Sequence, residues 1–312
     1  MWELFLLILE QVGILLIYIA IGYVLRRSKL LPESTGRTLS LLCNYVFAVA
    51  YIVKNLSQNF RLEVLAEKLQ ILGIGLLLIA VVMVAGQLLG RVLGRSPVEK
   101  SSLIYAFTFS NYGYFGYPIL EGTFGGAVMG DFMIMMIPTY LLCFSYGYVL
   151  FQKEKRFNPL SLLKMPLIIA LLVGIALGLS GVQLPSFANT TISGLADCMT
   201  PTAMLLLGFM MGKFPLKHLF SGLRSYMLTA IRMLGIPVVL GGVFWLCGLR
   251  NWYLFYCMVF FCMPFGSNLV VYPESMGFEK EASDNAKVCF ISYILSLAIL
   301  PLLISLMTKI CF

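Results

Sequence analysis

Long apolar segments are the feature that most limits what this chain can fold into. A helix needs roughly 20 apolar residues to cross a hydrocarbon core about 30 Å thick. Of the 312 residues, 60% are hydrophobic and only 12% are charged, which is far from the averages of soluble proteins. Ten spans are predicted: Leu4–Leu25, Arg37–Asn55, Leu69–Leu93, Leu103–Ile119, Met129–Leu150, Met165–Leu179, Phe187–Met211, Leu219–Leu246, Trp252–Met276 and Ala286–Met307. The expected fold class is therefore an all-α polytopic membrane protein with ten transmembrane helices.

The distribution of basic residues predicts the orientation of these helices. Arg26 and Arg27 follow the first span, and Lys213 and Lys217 follow the seventh. Most other basic residues also follow odd-numbered spans, and loops rich in Lys and Arg stay in the cytoplasm. We expect a multi-pass protein of the cytoplasmic membrane with both termini outside. The net charge of +8 is explained by this topology, so nucleic acid is not an expected partner.

Several kinds of chemistry lack the residues that they need. His218 is the only histidine, the eight cysteines form no C-x-x-C pair, and no phosphate-binding G-x-x-x-x-G-K-[ST] loop is present. A Ser-His-Asp triad, a metal centre and ATP hydrolysis are therefore not expected. The sequence predicts neither an enzyme nor a bound cofactor or metal.

The chain resembles itself at two places. The stretch that begins at Leu30 aligns with the stretch that begins at Gln183, and this alignment pairs Asn44 with Asp197. Residues 116–125 likewise resemble residues 271–279. Because each half contains an odd number of predicted helices, the two halves must insert with opposite orientation.

This internal similarity predicts a division of the chain. Residues 1–150 form the first five-helix repeat, and residues 165–312 form the second, inverted repeat. Residues 151–164, which include the basic run "KEKR", form a cytoplasmic connector between them.

Two predicted spans contain residues that interrupt helices. The fourth span contains "SNYGYFGYP", Ser110–Pro118, and the ninth contains "CMPFGSNLVVYP", Cys262–Pro273. Proline removes a backbone donor, and glycine lowers helix propensity. Non-helical backbone survives at membrane depth only inside protein or beside a wet cavity. Paired breaks predict a binding site near the membrane midplane, and the alternative is a pair of ordinary proline kinks.

The residues at these breaks are the candidate ligand contacts. The side-chain amides of Asn111 and Asn268 can either satisfy freed backbone groups or bind a carboxylate. Helix N-termini at such a crossing also carry partial positive charge. The predicted substrate-binding residues are Asn111, Gly113, Pro118, Pro264, Gly266, Ser267 and Asn268.

A second group of residues is predicted to take part in coupling or gating: Asn44, Asp197, Pro201 and Arg232. Asp197 is expected near the bilayer centre, where a carboxylate is costly and by default functional. The alternative is an acid that bonds to Asn44 or to backbone freed by Pro201. Arg232 is expected to extend its side chain to the interface, with attraction of an anionic substrate as the alternative.

Glycines on the third span predict close packing. Gly86, Gly90 and Gly94 recur every four residues, so they lie on one face of a helix. Small residues at this spacing let membrane helices approach one another. We expect a neighbouring helix, rather than a ligand, on this face.

Several motifs in order resemble the auxin efflux carrier family of bacterial permeases, which is related to the plant PIN carriers. They are N-x-G-x-x-G-x-P from Asn111, P-x-G-x-N from Pro264 and "SYILSLAILP" from Ser292, with "TPTAMLLLGF" around Pro201. The resemblance implies two inverted five-helix repeats, in which crossed fourth and ninth helices move against a scaffold of the first, second, sixth and seventh. It also implies small organic anions as substrates. Ala48 departs from the pattern, since the family often has proline there.

Three classes of function remain open. The first is a secondary transporter (permease) for a small organic anion such as malate, malonate or an auxin-like acid. A cation/proton antiporter of similar architecture is the alternative, but it would need a carboxylate where Asn111 and Asn268 stand. A receptor or membrane enzyme is the third. The expected partners are the organic anion and membrane lipid, and a homodimer is compatible with this interpretation.

Overall fold

Helices make up nearly all of the computed structural model, which describes residues 2–152 and 164–312. Counting a helix with an internal π-helical or 3-10 turn as one, the elements are α1 (Trp2–Arg27), α2 (Thr35–Asn59), α3 (Leu62–Leu93), α4 (Pro97–Thr108), α5 (112–124), α6 (Gly126–Val149), α7 (Pro166–Ser180), α8 (Ser186–Met211), α9 (Leu223–Leu246), α10 (Asn251–Cys262), α11 (Asn268–Ser275) and α12 (Glu279–Cys311). A one-turn helix, Leu216–Leu219, precedes α9. In the part of the chain that the structure describes, the backbone forms no β-strand. The protein is all-helical.

Seven of the described helices are long and apolar enough to cross a membrane: α1, α2, α3, α6, α8, α9 and α12. The helices α7 and α10 are apolar but shorter. Large apolar side chains on the outer surface point away from the protein: Ile17, Val84, Val238 and Leu302 are each 60% or more exposed. Such a surface would be unfavourable in water and suits contact with lipid. The protein is a multi-pass membrane protein.

Some predicted boundaries were wrong. The fourth predicted span began at Leu103, but α4 begins at Pro97, where the Ser96 hydroxyl accepts a hydrogen bond from the backbone N–H of Glu99. This N-cap and the proline at the first turn start the helix earlier than its apolar run does. Residues 153–163 of the predicted connector lie outside the described residues.

The helices α1 and α8 approach until their backbones touch. A Cβ atom at Gly22 of α1 would overlap the carbonyl oxygen of Leu205, and a Cβ atom at Gly208 of α8 would overlap that of Ile19. Glycine is needed at both positions because no side chain fits between the two backbones.

An equivalent contact joins α7 to α2. A Cβ atom at Gly178 of α7 would overlap the carbonyl oxygen of Phe60, and one at Gly174 would crowd Leu56. The helix α8 runs along α2 in the opposite direction, with its first half against the second half of α2. These four helices, α1, α2, α7 and α8, are called the scaffold below.

The remaining helices, α3–α6 and α9–α12, form a second group that is called the crossing bundle below. In this bundle α3 packs on α4 through the predicted glycine stripe. A Cβ atom at Gly86 would overlap Thr108, one at Gly90 would overlap Ile104, and Gly94 is in close contact with Lys100. The prediction of close packing at this stripe is confirmed.

Glycine-to-alanine variants of α8 test the scaffold contact. Gly208→Ala should lower the free energy of unfolding by about 1–3 kcal/mol, because the added methyl group has to push α1 away. Gly194→Ala is the matched control, since a Cβ atom there meets nothing within 4 Å and alanine favours the helix. Thermal unfolding in detergent measures both. Equal stability of the two variants would contradict the close contact between α1 and α8.

Candidate functional site

Two pairs of helices are separated by short non-helical segments that lie side by side. Segment 109–111 separates α4 from α5, and segment 263–267 separates α10 from α11. Ser110 and Phe265 pair as an antiparallel β-bridge. These two segments are called the crossing below, and all their residues except Ser267 are buried.

The buried backbone groups of the crossing find partners in each other and in α12. The N–H of Asn111 donates to the carbonyl oxygen of Pro264 at 2.8 Å. The hydroxyl of Tyr293 donates to the carbonyl oxygen of Phe265 at 2.8 Å, and the N–H of Phe265 donates to the hydroxyl oxygen of Ser292 at 3.3 Å. A buried backbone group without a partner is costly, so these bonds allow an extended segment inside the protein.

Asn111 is part of this network. Its side-chain Nδ2 donates to the Tyr293 hydroxyl oxygen at 2.6 Å. Its carbonyl oxygen accepts the N–H groups of Phe115 and Gly116 at 3.2 and 3.1 Å, which starts α5. The amide thus bonds to a side chain of α12 and not to a freed backbone group, and its predicted contact with a carboxylate stays a prediction.

The interruptions are shorter than the predicted segments, Ser110–Pro118 and Cys262–Pro273, because two prolines do not break helices. Pro118 lies inside α5, directly after the π-helical turn Tyr112–Gly116, and the helix continues through it. Pro273 lies inside α11 and leaves the carbonyl oxygen of Leu269 without its helical donor. The side-chain Nδ2 of Asn285 in α12 donates to that oxygen at 2.8 Å, so the helix continues.

A cavity of about 90 Å³ lies beside the crossing, between the scaffold and the crossing bundle. We call it the inner cavity. Its walls are mainly tyrosine and apolar side chains, and its polar groups are concentrated at the crossing. The polar and tyrosine residues that line it are Tyr51, Tyr105, Ser110, Asn111, Tyr112, Tyr114, Tyr117, Tyr140, Ser267 and Asn268.

Two hydroxyl groups at this cavity have no hydrogen-bond partner among the described residues. They belong to Ser110, at the crossing, and Tyr140, on α6. A buried hydroxyl without a partner costs free energy, and a bound ligand can supply one. The sequence did not single out either residue, because a tyrosine inside a regular apolar helix resembles the many others that anchor or fill.

A second cavity of about 300 Å³ also lies between the scaffold and the crossing bundle. Residues 40–45 of α2 line this wide cavity, whereas residues 48–56 of α2 include those that line the inner cavity. The two cavities therefore follow each other along α2. They share Tyr114, Phe144, Ser267 and Asn268 as lining residues.

A hydrogen bond joins the scaffold to the crossing bundle where the two cavities meet. The Tyr114 hydroxyl donates to Oδ1 of Asn44 at 3.0 Å. Asn44 lies in the π-helical turn Cys43–Phe47 of α2, and Tyr114 lies in the π-helical turn Tyr112–Gly116 of α5. Such turns are often found at functional sites. The α2 turn directly precedes Ala48, so α2 is irregular there without a proline.

The predicted site residues fall into three groups. Those that line the inner cavity are Asn111, Gly113, Gly266, Ser267 and Asn268, and Asn44 lines the wide cavity. Pro264 supports the crossing through its carbonyl oxygen. Four others line neither cavity: Pro118, Asp197, Pro201 and Arg232.

The alternative interpretation of Asp197, a bond to Asn44 or to backbone freed by Pro201, was wrong. Its side chain is 72% exposed and pairs with Nζ of Lys54 at 3.2 Å. Pro201 lies inside α8, after the turn at Cys198 that separates the helical segments Ser186–Asp197 and Met199–Met211. Asn44 and Asp197, which the internal alignment pairs, form no hydrogen bond with each other. A role of Asp197 in coupling stays a prediction.

The expectation that Arg232 extends to the membrane interface was also wrong. Its side chain is fully buried in the π-helical turn Ile231–Gly235 of α9. Nη1 donates to the carbonyl oxygen of Phe107 at 2.9 Å, and Nη2 donates to that of Phe260 at 3.4 Å. The charge therefore lies close to the crossing, although the side chain lines neither cavity.

Among the residues that the structure describes, no charged side chain lines either cavity. Within residues 2–152 and 164–312, no group of three or more His, Cys, Asp or Glu side chains is placed to hold a metal ion. The chemistry available to a ligand consists of hydroxyl groups, side-chain amides, helix ends and aromatic walls.

A family model described as membrane transport protein matches the chain twice, over residues 7–159 and 155–304. The chain belongs to this family, the auxin efflux carriers. A further relative is an uncharacterized transporter, MJ1031, from Methanocaldococcus jannaschii. It is 26% identical over 223 residues, which cover 67% of this chain and 70% of the relative. This member of the auxin efflux carrier family is therefore a membrane transport protein.

In this family member, Tyr293→Phe tests the hydrogen bonds of the crossing. Loss of the hydroxyl leaves the Phe265 carbonyl and the Asn111 amide without a partner, so the free energy of unfolding should fall by about 1–3 kcal/mol. Tyr253→Phe is the control, because that hydroxyl bonds to Gln70 at an exposed position. Thermal unfolding compares the two. A loss no greater than that of the control would show that the crossing does not need this bond.

Proposed function

We propose that this protein is a secondary transporter that carries a small organic anion across the cytoplasmic membrane by alternating access. The observation that carries the proposal is a pair of cavities between scaffold and crossing bundle. They share walls at the crossing and follow one another along α2. A carrier needs a site that opens to one side and then to the other, and relative movement of the two helix groups would provide it.

The architecture that we propose has ten membrane crossings in two inverted five-helix repeats. In it α1–α6 correspond to α7–α12, and the pairs α4–α5 and α10–α11 each count as one broken crossing. The double family match supports a repeat. The equivalent glycine contacts of α1 with α8 and of α7 with α2 support it as well. An antiparallel bridge between the two breaks is what a two-fold relation between inverted halves would produce.

The positive-inside pattern orients this architecture with both termini outside. In that orientation the wide cavity faces the cytoplasm, because it is lined by the first turns of α2 and α7. The inner cavity lies between the crossing and the outside. The wide cavity would then be the route from the crossing to the cytoplasm.

An organic anion is the substrate class that these groups favour. The N-terminal end of α11 at Asn268 carries partial positive charge, and the Asn268 amide and the Ser110 hydroxyl can donate to a carboxylate. The apolar and tyrosine walls suit the carbon skeleton of a small acid such as malate, malonate or an auxin-like acid. A cation/proton antiporter is less well supported, because no carboxylate of the described part of the chain lines either cavity.

The bond between Tyr114 and Asn44 acts as a gate in this proposal. It connects the crossing bundle to the scaffold between the two cavities, so it must break when one group moves against the other. A hydrogen bond contributes about 0.5–1.5 kcal/mol net, which is weak enough to break during a transport cycle. The π-helical turns on both sides give the backbone a place to adjust.

A panel of carboxylic acids tests the proposed function. A ligand that binds only the folded protein raises its unfolding temperature by mass action, so at least one small organic acid should stabilise the purified protein and be taken up by proteoliposomes. Asn268→Ala should weaken the binding of that acid by about 1–3 kcal/mol if a polar partner is left unpaired.

Asn189→Ala is the matched control for that substitution. Asn189 is exposed on α8 and bonds only to the nearby Leu184 carbonyl, so its loss should not change affinity for the acid. If no acid stabilises the parent protein, or if Asn268→Ala binds the acid as the parent does, the anion site is not at the crossing.

A further inference from the structure

Arg232 is the largest fully buried side chain of the protein, and its position is unusual for a charged residue. It lies within α9, a helix apolar enough to cross a membrane. Burial of an arginine at membrane depth is costly, and such residues usually pair with an opposite charge. None of the ion pairs among the described residues includes Arg232.

The partners of Arg232 are the ends of two helices. Phe107 lies in the last turn of α4, and Phe260 lies in the last turn of α10. The last carbonyl groups of a helix have no donor within it. One guanidinium group supplies a donor to each of these helices, and it also lies 5.5 Å from the centre of the Phe260 ring.

One N–H group of the Arg232 side chain has no partner. Its Nε is buried and has no hydrogen-bond acceptor among the described residues. In a low-dielectric interior the field of such a charge extends much further than in water. The Phe107 ring packs on the Phe265 ring of the crossing, with 6.3 Å between ring centres, so only one layer of side chains separates Arg232 from the crossing.

We propose that Arg232 is a positioning residue that joins the C-terminal ends of α4 and α10 and gives the crossing the positive potential that selects anions. It acts through the helix ends and not by contact with the ligand, because it lines neither cavity. The selection of anions rests on the proposed function, whereas the positive potential itself does not.

The partial charges of the helix ends explain why a positive potential at the crossing depends on Arg232. A helix carries about +0.5 of an elementary charge at its N-terminus and about −0.5 at its C-terminus. The C-terminal ends of α4 and α10 and the N-terminal ends of α5 and α11 meet at the crossing, so the helix ends alone nearly cancel. The charge of Arg232 offsets the two negative ends, and the N-terminal ends of α5 and α11 remain.

The reaction of an introduced thiol measures this potential without any substrate. Ser267 lines both cavities, so Ser267→Cys, with the native cysteines replaced, places a thiol at the crossing. Two methanethiosulfonate reagents of similar size, one carrying a sulfonate and one a trimethylammonium group, are compared by their rates. The rate ratio of the anionic to the cationic reagent should exceed that at an exposed reference thiol from Ser275→Cys. An equal or lower ratio at position 267 would overturn the proposal.

Substitution of Arg232 then assigns the potential to its charge. Arg232→Gln keeps hydrogen-bond donors but no charge, and it should lower the rate ratio at position 267 by at least about threefold. Arg232→Lys keeps the charge on one donor group, so it should hold the ratio near that of the parent while the unfolding temperature falls. Arg224→Gln is the control on the same helix, since Arg224 pairs with Glu99 at a half-buried position.

Each outcome is decisive for the proposal. A ratio that is unchanged by Arg232→Gln, or that falls as much with lysine as with glutamine, would leave Arg232 with only a structural role. If Arg232→Gln does not fold, the parent ratio and the lysine variant still test the claim. Failure of every carboxylic acid to bind, with a high ratio at position 267, would overturn the proposed substrate class and leave the role of Arg232 intact.

Discussion

The requirement that buried backbone groups find hydrogen-bond partners determines how the rest of this structure is arranged. An extended segment at membrane depth has polar groups that lipid cannot satisfy. Ser292 and Tyr293 of α12 and the Pro264 carbonyl supply partners at the crossing. Asn285 does the same for the carbonyl freed by Pro273. The long helix α12 therefore supports both the segment 263–267 and the helix α11 that follows it. Arg232 supplies hydrogen-bond donors to the C-terminal ends of α4 and α10.

The same requirement separates a rigid part from an adjustable part. The crossing is fixed by bonds within the crossing bundle, whereas the hydrogen bonds to the scaffold beside the cavities are made by side chains, as from Tyr114 to Asn44 and from Tyr51 to Glu121. The scaffold is held by backbone contacts at glycines such as Gly208, which leave little room for rearrangement. In the proposed transport cycle the two groups move relative to each other where both cavities lie, and the crossing moves as one unit with its bundle.

The sequence predicted those features that depend on local residue type. Apolar runs predicted the helices, and the glycines and prolines near Ser110 marked where the backbone leaves helical geometry. It could not predict which distant side chains would satisfy that backbone, since the partnership of Tyr293 with Asn111 depends on tertiary packing. The sequence placed Arg232 in an apolar span but could not predict the direction in which its side chain points. Tertiary packing also explains why Asp197 and Asn44, which the internal alignment pairs, have different hydrogen-bond partners.

Reversible cross-linking of Asn44 to Tyr114 tests most directly whether the two helix groups must separate during transport. Cysteines at both positions, in a background without native cysteines, are joined with a short bifunctional methanethiosulfonate reagent, and exchange of the stabilising acid is followed in proteoliposomes. The cross-link should stop exchange, a reducing agent should restore it, and the same reagent should leave each single-cysteine variant able to exchange. Exchange at the parent rate in fully cross-linked protein would contradict movement of the crossing bundle against the scaffold.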